Sequence, residues 1–260
     1  MLPRVKQLSN GSLWQIQEPV SSVQQAGPSR AADEIAAQIE KMIISKDLAE
    51  GVRLPSERDF AEIHSTSRPT VSQAIRILVV KGLVESRRGS GAYVARRPQE
   101  SLAASVNLIR DLNRDSVPHL HDLRLWLETV GIQQAIERGT EAEIAEGERA
   151  LQQMQESTGD IAAWMSADTH FHATLVRASH NPYLASIYES VHTTLISYEY
   201  RNWIAKGTVP KWLNKNQVYG VTAIHEPILD AVKKRDEEAG RTAVLHHHYV
   251  MAQHLAASHL

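Results

Sequence analysis

Residues 54–94 read LPSERDFAEIHSTSRPTVSQAIRILVVKGLVESRRGSGAYV, and their pattern decides the fold of the first hundred residues. Ser56 is placed to cap a short helix, with Asp59 at the third helical position completing a capping box and Phe60 and Ala61 supplying an apolar side. A turn follows around His64 and Thr66. A second helix starts near Ser67, Arg68 and Pro69, because proline is tolerated in a first helical turn and drives its predecessor out of the helical region. Val71, Ala74, Ile75 and Leu78 recur at i, i+3, i+4, i+7 and form its inward face. Arg68, Thr70, Ser72, Gln73 and Arg76 form the other, a face of hydrogen-bonding groups. Short extended runs at residues 83–86 and 92–95 then flank Arg87, Arg88, Gly89, Ser90 and Gly91, a hairpin with a basic, glycine-rich tip.

Helix, turn, helix and a two-stranded wing is the order of a winged helix-turn-helix, whose second helix enters the major groove. From Arg68 to Arg97 there are seven Lys or Arg against one acid, Glu85, although the whole chain is at formal charge -2. A basic stripe confined to one helix and a wing suits phosphate neutralisation. Periodicity and charge leave a second reading open, since a helix pair with a hairpin is a common packing unit and a charged face is often only solvated.

The words LPSERDFA, SRPTVSQAIRIL and GLVESRRGSGAYV, about 40 residues without a gap, closely resemble the signature of the GntR family of bacterial transcription regulators. That resemblance implies DNA contacts from Arg58, Arg68, Thr70 and the wing between Arg88 and Gly91. Many relatives carry a base-reading arginine where this chain has Ser72, followed by an acid where it has Gln73. The operator is therefore expected to differ from theirs, with Gln73 able to pair with adenine. One head buries little surface, so a homodimer on a two-fold symmetric double-stranded operator is expected.

Outward from this stretch, residues 1–30 mix Gln, Ser, Gly and Pro without a sustained period and read as a mobile extension, with a short element near Leu13 and Ile16. Ala32, Ile35, Ala36, Ile39, Met42 and Ile43 share a face and give the first helix of a DNA-binding domain over residues 31–95. RRPQES follows as a linker, residues 96–103. The remainder, residues 104–260, carries little strand signal and reads as an antiparallel bundle of roughly six or seven helices. Leu120, Leu123, Leu127 and Val130 stripe a helix ending at Gly139. Thr140 and Glu143 cap the next, which Gly159 stops, and later helices are expected at about 160–179, 183–206, 218–235 and from 236 or 237 onward. The fold class is thus mainly α, a winged helix-turn-helix followed by an all-helical bundle.

No long uncharged apolar run offers a membrane span, and the first residues lack an apolar signal core, so a cytoplasmic protein is expected. The absence of cysteine excludes disulfides, thiolate metal sites and a cysteine nucleophile.

Ten of the thirteen histidines lie beyond residue 169. Between Ile161, Trp164, Phe171 and Leu175, the positions completing the stripe are Asp168 and His172, one turn apart and both inward. His225 shares a face with Ile228, Leu229 and Val232, and His247 one with Gly240, Ala243, Val244 and Met251. Three histidines and a carboxylate on facing helices suit a divalent transition ion, zinc first and nickel or manganese next. Each residue alone also fits a satisfied core histidine or a simple Asp168–His172 pair.

The segments DTHFHATLVRASHNPYL and HEPILDAVKKRDEEAGRTAVLHHH are similar to the C-terminal FCD domain of FadR-type GntR regulators. That resemblance implies metal ligation by Asp168, His172, His225 and His247, and leaves His170, His180, His246 and His248 solvated or behind the ligands. It also matches Arg124 to an arginine reaching into an effector pocket, although Arg124 can equally pair with Glu128. Tyr198, Tyr200 and Arg201 are further candidates for that pocket, without a sharp motif. The implied effector is a small organic acid. The leading reading is a ligand-responsive regulator, a repressor and not an enzyme. Its rivals are a metal-dependent enzyme with a DNA-binding appendage and a regulator whose bundle only dimerises.

Overall fold

The computed structural model describes residues 28–45, 48–157, 159–213 and 223–257. The short element expected near Leu13 and Ile16 lies outside them. The chain divides into two compact units, residues 1–101 and 102–260.

In the first unit, α1 (Pro28–Ser45) presents Ile35, Ile39 and Ile43 to α3 (Arg68–Val80), whose Val71, Ala74 and Leu78 are fully buried. Helix α2 (Glu57–Ile63) is held by the expected capping box: Asp59 N donates to Ser56 Oγ at 3.2 Å and Ser56 N to Asp59 Oδ2 at 3.3 Å. Ser67 caps α3, with Pro69 in its first turn. Strands β1 (Val84–Arg87) and β2 (Gly91–Val94) pair antiparallel, Val84 opposite Val94 and Arg87 opposite Gly91, one residue out of step with the expected runs. Val84 and Val94 plug the same core as Phe60 and Leu54. Gly82 turns the chain from α3 into β1 at φ +68, where a Cβ would stand 2.2 Å from the Arg97 carbonyl oxygen, so no other residue fits.

The expected linker is in part a helix. Helix α4 (Pro98–Leu112) opens on a proline, carries Glu100 in its first turn and has no buried residue. Its Leu102, Val106 and Ile109 do recur at i, i+4, i+7, but the linker expected to end at residue 103 cut through the helix.

The second unit contains α5 (Val117–Arg138), α6 (Glu141–Glu156), α7 (Ile161–Arg177), α8 (Pro182–Lys206), α9 (Glu226–Lys234) and α10 (Glu237–Ala257). Its core includes Ile132, Ile136, Trp164, Phe171, Leu175, Ile228 and Val244. Two details differ from the periodicity. On α5 the apolar stripe is only partly covered, Val130 being 49% exposed, while Arg124 and Glu128 are buried at 4% and 0%. And α9 starts at Glu226, with Pro227 in its first turn, so His225 is the capping residue rather than a helical one. Residues 214–222, where that helix was expected to begin, lie outside those described.

Candidate metal centre and nucleic-acid interface

Asp168 and His172 on α7, His225 before α9 and His247 on α10 are all buried, at 1%, 0%, 0% and 1% exposure. Each offers one ligand atom, and the four atoms lie within 4.8 Å of one another. His225 Nε2 stands 3.1 Å from Asp168 Oδ1 and 3.0 Å from His247 Nε2, and His172 Nε2 is 3.7 Å from Asp168 Oδ1. Neighbouring ligands around one ion with bonds near 2.0–2.1 Å sit about 2.9–3.4 Å apart, so the set is close to that geometry. Hydrogen bonding within the cluster cannot satisfy it. Only one proton can lie between the two facing Nε2 atoms of His225 and His247, and His172 Nε2 is left without a hydrogen-bond partner. Buried lone pairs that converge on a point and lack donors are what a cation requires.

The ring orientations are fixed from behind. His172 Nδ1 donates to Glu128 Oε1 at 2.5 Å, which leaves Nε2 bare toward Asp168. Glu128 also accepts from Tyr188 at 3.0 Å and from His248 Nε2 at 2.8 Å. Phe171 walls the cluster, its ring edge-on to His172 and His225. Burial opposes the charge of Glu128, yet the His172 and His248 imidazoles hold its pKa well below the usual carboxylate value. Asp168 is also held well below it, burial being outweighed by contacts from His192 and His225 and by the neighbouring imidazoles. Burial, and then its neighbours His225 and His172, push His247 well below the ordinary histidine value. Ionised carboxylates and a neutral imidazole are the forms that ligate metal.

Sequence reasoning missed His192. It is fully buried on α8, with Nε2 3.2 Å from Asp168 Oδ2, off the ideal hydrogen-bond direction, and Nδ1 3.2 Å from the Tyr188 hydroxyl. Burial and the nearby Arg124 charge lower its pKa to about 4 against the pull of Asp168. Helix α8 buries residues on several sides, among them Tyr188, Ser190, His192 and Thr194, so no single stripe betrays the histidine. Periodic spacing to Tyr188 and Leu195 is the one signal it left.

A cavity of about 10 Å³ touches the cluster and is lined by His121, Arg124, Asp168, Glu199, Tyr200 and His247, among others. Arg124 keeps its charge there: burial disfavours it, but Tyr188, Glu128, Asp168 and Glu199 more than compensate. Its Nε is 3.9 Å from Glu128, so the open alternative of an Arg124–Glu128 pair is at most a loose one. Tyr200 faces the cavity, with Trp164 and Trp212 against its ring. Arg201 does not: it is exposed, stacks 3.9 Å over Tyr198, and lines a separate cavity of about 320 Å³ with Arg110 and Asp111. Tyr200 and Arg201 point about 100° apart on the helix, and here Tyr200 turns inward while Arg201 stays exposed. A larger groove of about 460 Å³ along α7 and α8 includes His170 but none of the cluster. His170 and His180 bond Glu146 and Glu143, and His246 is exposed.

In the first unit, Arg58, Arg68, Gln73, Arg76, Arg88 and Gly91 are exposed and Ser72 is half-buried. Thr70 is withdrawn from this face: it is 7% exposed, and its hydroxyl lies 2.8 Å from Ser67 Oγ within the helix cap. The basic surplus is also narrower than the count implied. Lys81 pairs with Glu40, Arg87 with Glu85 and Arg97 with Glu50, while Arg96 holds the Leu48 carbonyl. Arg68, Arg76 and Arg88 form no ion pair among the described residues, and they stand on the recognition helix and the wing tip.

Residues 31–94 match the family described as bacterial regulatory proteins, gntR family, and residues 119–250 match the FCD domain. The chain belongs to the GntR family, in the branch with an FCD domain. Members of this family are DNA-binding transcription regulators, which sets aside the enzyme reading. The chain is 28% identical over 227 residues to the HTH-type transcriptional repressor NanR of Citrobacter rodentium, covering 84% of this chain and 82% of that one. It is 28% identical over 237 residues to the repressor of the same name from Cronobacter sakazakii, covering 88% and 87%. The solved structure of Streptococcus agalactiae GntR superposes with a TM-score of 0.62 at 22% identity, over 85% of this chain and 99% of that one, and shares its fold. Among the described residues no helix is long and apolar enough to cross a membrane.

Proposed function

We propose that this GntR regulator is a cytoplasmic, homodimeric repressor whose DNA affinity is set by a small organic acid bound beside a metal ion in the helical bundle. The observation carrying this reading is the convergence of Asp168, His172, His225 and His247 on one point, with Arg124 lining the adjoining cavity. The three imidazole nitrogens and one carboxylate oxygen fit zinc best, with nickel or manganese as competitors. A bound divalent ion supplies a fixed positive charge to which a carboxylate binds. Arg124, already charged and buried, fixes the other side of that carboxylate. The repressor relatives support repression, and acid binding would act by favouring one placement of the two heads over another.

On the DNA, Arg68, Gln73 and Arg76 of α3 read the major groove, and Arg58, Arg88 and Gly91 position the head on the backbone. The test is operator binding by the full chain, followed by fluorescence anisotropy, with and without added zinc and a panel of carboxylic acids. An acid that changes operator affinity at least tenfold, and fails to do so in Arg124→Ala, is the expected result. Operator affinity indifferent to every acid and to chelation would leave the bundle a dimerisation module.

A further inference from the structure

The cavity beside the cluster contains more unsatisfied chemistry than a simple carboxylate consumes. Glu199 is 7% exposed, and its Oε1 lies 2.7 Å from His121 Nε2, while its Oε2 has no hydrogen-bond partner. The Tyr200 hydroxyl, buried at 0% exposure, and Arg124 Nε are also without hydrogen-bond partners. All three side chains line the one cavity. Buried polar atoms are almost always satisfied, so a cluster of orphans around one space marks what a ligand must supply. Arg124 asks for an anion. Glu199 asks for a donor, and repels a second anion placed against it.

We propose that Glu199 selects the effector, which is a hydroxylated monocarboxylic acid rather than a dicarboxylic or unsubstituted one. This rests on the acid-binding reading of the same site. A hydroxyl group can donate to Glu199 Oε2 and accept from the Tyr200 hydroxyl, whereas an ammonium can only donate and would stand beside the Arg124 charge. A methylene in that position leaves Glu199 buried without a donor, and a carboxylate adds like-charge repulsion in a site shielded from water. Sites built to hydrogen-bond a hydroxyl reject analogues lacking it far more strongly than apolar pockets discriminate by size. At about 10 Å³ the cavity holds no organic acid as it stands, so binding must displace wall side chains such as Met251 and Leu255. Donor chemistry, not present volume, is therefore the selecting feature.

The experiment is calorimetric titration of the zinc-loaded full chain with two matched sets: propionate, glycerate and malonate, then hexanoate, gluconate and adipate. In at least one set the hydroxylated acid should bind tenfold or more tighter than both companions. Glu199→Gln, which keeps the shape and removes the charge, should narrow the preference over the diacid at least fivefold, with the variant's melting curve confirming the fold. Binding that depends on Arg124 but favours a diacid or an unsubstituted acid, or a preference unchanged in Glu199→Gln, overturns the assignment of Glu199 alone. Binding of none of the six acids, or binding indifferent to Arg124→Ala, overturns the acid-binding reading and this inference with it.

Discussion

At the scale of single residues, the cluster depends on groups that never touch its centre. Glu128 orients His172, and His192 faces the second oxygen of Asp168, leaving the first to the centre. Removing such supporting partners typically costs ten- to a hundredfold in metal affinity. His192→Ala should therefore weaken zinc binding by about that factor, read by competition with a chromophoric chelator, while leaving the helical content unchanged. Unaltered affinity would make His192 a bystander in the core. On the DNA side, Arg68→Ala should cost about 1–3 kcal/mol of operator binding if the guanidinium grips a guanine, but a smaller and sequence-independent amount if it meets only phosphate. Comparing affinities for the operator and for its single-base variants separates the two. Asp168, His172 and His247 were legible because each polar residue completes an apolar helical stripe. Thr70 sits off the expected face because its hydroxyl turns into the helix cap, and Arg201 lies outside the cluster's cavity, for which no motif had placed it.

At the scale of elements, local signals carried most of the reading. The Thr140–Glu143 capping box forms as written, with Glu143 N donating to Thr140 Oγ1 at 3.3 Å and Thr140 N to Glu143 Oε2 at 2.8 Å. Thr140→Ala should destabilise the bundle by about 1 kcal/mol in denaturant unfolding. Gly82→Ala should do more, on the order of 1–3 kcal/mol, because it adds left-handed backbone strain to a Cβ that meets the Arg97 carbonyl. A Gly82→Ala loss smaller than that of Thr140→Ala would mean that the turn into the wing yields. The starts of α4 and α9 were both misplaced at a proline. Pro98 opens α4 inside the stretch read as a linker, and the face of α9 continues smoothly through His225 although Pro227 in the first turn sets the boundary after it.

At the scale of the whole molecule, the class was legible because the two units follow different rules: a turn-and-wing grammar up to residue 95, then helical periodicity with hardly a strand signal. What composition could not convey is that the polar residues of the bundle interior form one connected set on α5, α7, α8 and α10, because their meeting is made by tertiary packing. A cation binding only the folded chain would stabilise it by about 4 kcal/mol at a free concentration a thousandfold above its dissociation constant, so chelation should lower the melting temperature of the wild-type chain. The variant with both Asp168→Ala and His172→Ala should melt at the same temperature with or without chelator. The most direct test of the central claim is metal content by mass spectrometry of the tag-free full chain after exposure to zinc and removal of the excess. About one tightly held ion per chain is expected, lost in the double variant. Wild-type chain that retains no ion, or a double variant that retains as much, would contradict it.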